Sequence, residues 1–136
     1  MKSVTHRNNV KVVGIAGAPV IILAHGFGCD QNMWRLMLPE LAQRYQIVLF
    51  DYVGSGKSLL TEYSQEKYST LEGYAQDIRD IIEELQLTDV TIIGYSVSCT
   101  IASLAAIEIP NIITKIVMVC PSPCFSEYFT RLSGRV

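Results

Sequence analysis

An apolar, β-branched run, Val90-Thr91-Ile92-Ile93, leads into Gly94-Tyr95-Ser96-Val97-Ser98, and a further apolar segment follows as far as Pro110. The run reads as a buried strand and the segment after it as a helix, so the chain between them must turn sharply with a serine at the tip. Such a turn lifts the Ser96 hydroxyl clear of the sheet, beside backbone N–H groups at a helix N-terminus that can hold a developing oxyanion. The pattern points to acyl-transfer chemistry at Ser96, with the Val97 N–H as one oxyanion donor. Of the two glycines in the Gly-x-Ser-x-Gly pattern, Gly94 keeps the first and Ser98 replaces the second. Serine is small enough for the turn to survive with some tightening at the helix contact.

A second donor is expected from the loop after an earlier strand. The apolar run Val20-Ile21-Ile22-Leu23-Ala24 ends in His25-Gly26-Phe27-Gly28, whose glycines let the backbone curl with its N–H groups inward. The Phe27 N–H is assigned as that donor. A nucleophilic serine also needs a histidine base and an acid to orient it, and this arrangement places both after the nucleophile. No histidine follows His25, and the only acids after Ser96 are Glu108 and Glu127. His25 is therefore expected to order its loop by hydrogen bonding, His6 to be solvated, and the chain to hold half of a catalytic site.

The other apolar runs fit the same architecture. Residues 10–14 read as a half-exposed strand, and Ile47-Val48-Leu49-Phe50 and residues 113–119 as buried ones. A helical stretch is expected over Met33 to Arg44. The strongest helix pattern is the i, i+3, i+4, i+7 series of Leu71, Tyr74, Ala75, Ile78, Ile81, Ile82 and Leu85, with Ser69-x-x-Glu72 as a capping box. Strands alternating with helices imply an α/β fold with a doubly wound, mostly parallel sheet. The polar stretch 54–70 is a connection within it.

At 136 residues, 49% hydrophobic and 18% charged, the chain is apolar for its size, as expected of a sheet whose outer elements lie elsewhere. A net charge of −2 argues against nucleic acid or an anionic membrane as partner. No run reaches membrane-spanning length, and the N-terminus has no apolar core of a signal peptide. Cys29, Cys99, Cys120 and Cys124 show no disulfide framework, zinc or redox spacing, which fits a reducing, cytoplasmic compartment. Gly54-Ser55-Gly56-Lys57-Ser58 looks like the end of a phosphate-binding loop, but the glycine that the motif requires at position 51, with four residues between it and Gly-Lys-Ser, is replaced by Asp51, and no periodic helix follows. It reads as a glycine-rich turn, and no cofactor or metal is expected.

Five blocks in order carry a resemblance: residues 25–34 (His-Gly-Phe-Gly-Cys-Asp-Gln-Asn-Met-Trp), 50–58 (Phe-Asp-Tyr-Val-Gly-Ser-Gly-Lys-Ser), 71–77 (Leu-Glu-Gly-Tyr-Ala-Gln-Asp), the turn at Ser96, and 117–124 (Val-Met-Val-Cys-Pro-Ser-Pro-Cys). The chain resembles the α/β-hydrolase superfamily, and within it the group of the bacterial stress regulator RsbQ and the plant karrikin and strigolactone receptors. Cys29-Asp30-Gln31 and the Pro-Ser-Pro-Cys ending favour the bacterial branch. The resemblance implies that residues 1–136 form the N-terminal part of one hydrolase domain, that 125–136 begin a helical cap, and that the triad Asp and His follow. It implies a small apolar ester or lactone as substrate, with Phe27 and Trp34 as pocket candidates, Trp34 being read first as a core residue. The alternative is a small-molecule receptor or stress-signalling regulator with a regulatory protein partner; residues 1–136 alone are expected to be inactive. Where the group usually has His before the nucleophile, this chain has Tyr95, whose side chain is expected to pack beneath the turn.

Overall fold

In the computed structural model, which describes residues 2–122, the apolar runs assemble into one five-stranded sheet. A short helix α1 (Val4–Arg7) precedes strand β1 (Lys11–Gly14), and β2 (Val20–Ala24) follows. After it come helix α2 (Leu38–Leu41) and β3 (Gln46–Leu49), then α3 (Gln65–Tyr68), α4 (Leu71–Glu84), β4 (Val90–Tyr95), α5 (Val97–Glu108) and β5 (Ile113–Val119). The strand order is β1-β3-β2-β4-β5. Only β1 runs antiparallel, pairing Lys11 with Leu49 and Gly14 with Gln46, so the sheet is mostly parallel as the alternation of strands and helices implies.

The two faces of the central strands fill two separate cores. Ile22, Val48 and Ile92 point to the face covered by α4 and α5, where they meet Ile78, Ile81, Ile101 and Ala102, all buried. Ile21, Leu23, Ile47, Leu49 and Ile93 point to the opposite face, against Trp34 and the partly buried Met33, Leu38 and Leu41. Burial on both faces explains why these strands are continuous apolar runs rather than alternating ones. The α4 periodicity is likewise realised: Ala75, Ile78, Ile81 and Ile82 are buried on its inner side.

Two local expectations are corrected here. The stretch 33–44 is not one helix: a 3₁₀ turn over Gln31–Trp34, capped by Asp30 at the Asn32 N–H (2.8 Å), gives way to α2 four residues on. Pro39 lacks an N–H and its ring excludes the carbonyl four residues earlier, so it fits only in the first turn of a new helix. Ser69 is not the cap of α4. It ends α3, its hydroxyl donating to the Glu66 carbonyl (3.4 Å), and Thr70 caps α4 without a side-chain bond. The connection 54–70 holds a 3₁₀ turn at Leu60–Glu62 as well as α3.

The expectation that residues 113–119 form a buried strand is corrected as well: on its outer side β5 has no neighbouring strand among the described residues, only Ile113 is buried, and Val117, Met118 and Val119 are 47%, 49% and 37% exposed. Among the described residues no helix is long and apolar enough to cross a membrane, and no cluster of His, Cys, Asp and Glu could hold a metal ion. Cys29, Cys99 and Cys120 are free thiols; Cys124 and the cap start expected at 125–136 lie outside the described residues.

Candidate active site

The chain leaves β2 toward β3 on one side and leaves β4 toward β5 on the other, so the connections diverge between the adjacent strands β2 and β4. Such a switch point opens a crevice beyond the carboxyl ends of the strands, where ligands bind in open α/β sheets. The loops that border it here are 25–28 and the turn at Ser96, the two segments singled out from sequence.

Ser96 stands between the last residue of β4 and the first of α5 with φ 55° and ψ −118°. A positive φ is strained for a residue with a Cβ, and it persists because both sides of the turn are fixed. The Ser96 N–H donates to the Val119 carbonyl at the end of β5 (2.8 Å), and the Cys99 N–H to the Ser96 carbonyl (3.0 Å). Gly94 is obligatory by close approach: a Cβ there would lie 2.8 Å from the Ser98 carbonyl oxygen. Val97 begins α5, so its N–H belongs to the first turn, whose donors have no intrahelical acceptor. Cys99, next to this turn, is no rival nucleophile. Burial pushes its thiol pKa up, and the Sγ–H is engaged by the Gly94 carbonyl (3.2 Å).

His25 is buried, with both ring nitrogens committed. Its Nε2 accepts from the Tyr52 N–H (3.1 Å), so Nδ1 carries the proton and donates to the Gly26 carbonyl (2.9 Å). Burial lowers its pKa below the usual histidine value and outweighs that hydrogen bond. A neutral imidazole with no free nitrogen orders the loop and is not positioned to take a proton from Ser96. Phe27, two residues on, is 77% exposed. A Cβ on Gly26 would come within 2.6 Å of the Tyr95 Cδ1 and 2.9 Å of its Cε1, so the edge of this ring packs against the 25–28 loop.

A cleft of about 720 Å³ opens on the α4 side of the turn, walled mainly by Phe27, Tyr52, Tyr74, Leu71, Val97 and Ile101. Val97 is in its wall and Ser96 is the residue before it. Trp34 is absent from the cleft; it is buried in the core on the opposite face of the sheet. Aromatic edges continue the wall, with Tyr52 5.6 Å from Tyr74 and Tyr74 4.9 Å from Tyr68 between ring centres. Tyr68 is held by Asp77, a fully buried carboxylate that also binds Lys67 (2.8 Å), Arg7 (3.1 Å) and Asn8 (3.1 Å).

The glycine-rich turn 54–58 folds onto Asp51. This carboxylate accepts from the Lys57 N–H (3.0 Å), the Gln31 N–H (2.9 Å) and the Asn9 side chain (2.8 Å). Burial opposes its charge, but these bonds together hold its pKa below the usual value. The Lys57 N–H is thus engaged by an internal carboxylate. Asp51 as a hydrogen-bonding hub, and Tyr52 and Ser98 as partners of the 25–28 loop, are contacts that the sequence did not reveal. Tyr52 and Ser98 are separated by 46 positions, and Ser98 and His25 by 73, with no local pattern linking them.

Comparison with known proteins agrees with this fold. The alpha/beta hydrolase fold family matches residues 19–132. The chain is 42% identical over 123 residues to the karrikin insensitive 2 receptor CA of Petunia hybrida, covering 90% of this chain and 45% of that one. It is 38% identical over 117 residues to the strigolactone esterase D14 of Arabidopsis thaliana, covering 86% and 43%. Among solved structures, a hydrolase from Oleispira antarctica superposes with a TM-score of 0.87 at 52% identity, again over 90% of this chain and 45% of that one. The chain therefore spans about 45% of the length of these three relatives, and it belongs to the alpha/beta hydrolase fold family.

Proposed function

We propose that the full-length protein hydrolyses a small apolar ester or lactone through Ser96. The observation that carries this reading is the Ser96 backbone, φ 55° between β4 and α5, at the switch point of the sheet. In this reading the Ser96 oxygen attacks the acyl carbon while its proton passes to a base. The tetrahedral oxyanion is received by the Val97 and Phe27 N–H groups, and the alcohol leaves with the proton, giving an acyl-serine that water then cleaves. His25 is committed elsewhere, so the base and its orienting acid are assigned to the part of the fold that the relatives have beyond the matched length. The mainly apolar cleft supports an apolar acyl group.

A second reading, a small-molecule receptor or a stress-signalling regulator resembling RsbQ with a protein partner, is favoured by the karrikin receptor among the relatives. Fold does not separate the two. Turnover of an aryl ester by the full-length protein, abolished in Ser96→Ala, supports the enzyme. Ligand-dependent capture of a partner protein without turnover supports the receptor.

A further inference from the structure

The fifth residue of the turn, a glycine in the Gly-x-Ser-x-Gly pattern, is a serine whose side chain has a specific place. Ser98 is fully buried, and its hydroxyl donates to the His25 carbonyl (2.5 Å). Having one proton, the hydroxyl must then accept from the Tyr52 hydroxyl, 2.7 Å away. The Tyr52 N–H in turn donates to the His25 ring at 3.1 Å, and the Tyr52 and His25 rings meet edge to face with centres 4.8 Å apart. These bonds form a closed triangle between the residues after β2, β3 and β4. Burial raises the Tyr52 pKa far above neutrality, so it remains a donor throughout the range in which the protein is folded.

We infer that Ser98, held by Tyr52, is a positioning residue that sets the 25–28 loop relative to the nucleophile. This rests on the reading of Ser96 and of the Phe27 N–H given under the proposed function. The His25 carbonyl belongs to the peptide unit immediately before the one that carries the Phe27 N–H, so fixing that carbonyl fixes the plane from which the donor is aimed. Ser98 is two residues after Ser96 on the first turn of α5. One hydroxyl therefore ties the helix that carries one oxyanion donor to the loop that carries the other. The Tyr95 ring against Gly26 supports the same loop from its other side. With glycine at 98, the His25 carbonyl and the Tyr52 hydroxyl would both lose a buried partner.

The test uses the full-length protein with Ser98→Ala, Ser98→Gly and Tyr52→Phe beside Ser96→Ala. Ser98→Ala and Ser98→Gly are expected to lower kcat for an aryl ester about 10–100-fold at near-constant KM, since a displaced oxyanion donor acts mainly in the transition state. An arylboronic acid, which forms a tetrahedral adduct with the serine, should bind more weakly by a similar factor. Tyr52→Phe should have a smaller effect in the same direction. Amide hydrogen exchange at residues 26–28 should speed up at least several-fold in each variant while α4 is unchanged, a readout that does not depend on turnover. Unchanged exchange at 26–28, or kcat within twofold of wild type in both Ser98 variants while Ser96→Ala is inactive, overturns the inference. Activity that survives Ser96→Ala instead removes the proposed function, which is a separate outcome.

Discussion

His25 gives the loop a pH signature. Its pKa is lowered by burial, so the folded chain binds fewer protons than the unfolded chain between the folded value and the unperturbed value of about 6.5. The stability tied to its neutral form is complete above pH of about 6.5 and is lost as pH falls through the lower folded value. A urea titration series at descending pH should show this loss, and His25→Gln should flatten it. Two glycines are equally specific. Gly94→Ala places a Cβ against the Ser98 backbone, which cannot yield, and is expected to cost about 2 kcal/mol. Gly26→Ala meets the Tyr95 ring, which can move, so its expected effect is on the loop rather than on global stability, and the double variant with Tyr95→Ala should relieve it.

Among the elements, the corner between α3 and α4 depends on Asp77, whose charge is shared by Arg7, Lys67, Asn8 and Tyr68 without access to water. Asp77→Ala leaves Tyr68 and Asn8 without their buried acceptor and Arg7 and Lys67 with Asp80 alone, and is expected to destabilise by about 1–3 kcal/mol in chemical denaturation. The turn 54–58 is expected to bind neither ATP nor GTP. Lys57→Ala should be nearly neutral in the same assay, because its backbone N–H, not its exposed side chain, engages Asp51. How much of this was legible from sequence follows from the range of each interaction. The central strands and α4 announce themselves because burial on one or two faces writes a period into neighbouring residues. Ser96 was legible because its strain is produced locally, between an apolar strand and a helix. The division of the stretch 33–44 at Pro39 was open to the same reasoning, since the residue itself carries the break. The Ser69 assignment failed because α3, only one turn long, claims that residue first. The Ser98, Tyr52 and His25 triangle had no local trace: its bonds join three strand ends far apart in sequence.

At the scale of the whole molecule, β5 decides how residues 1–136 behave by themselves. It pairs with β4 along one edge while Val117, Met118 and Val119 remain about half exposed. A long apolar edge of unpaired N–H and C=O groups recruits other strands. Expressed alone, residues 1–136 are expected to form oligomers or inclusion bodies by sedimentation, and to become soluble when co-expressed with the remainder of a full-length hydrolase. They should show no ester turnover, because an unassisted serine hydroxyl is a weak nucleophile. The central claim is that Ser96 is the reacting atom's home, and its most direct test is mass-spectrometric mapping of the adduct formed by a fluorophosphonate with the full-length protein. The predicted result is one phosphonyl group on the peptide containing Ser96, absent in Ser96→Ala. An adduct at another residue, persisting at the same rate in that variant, would contradict it.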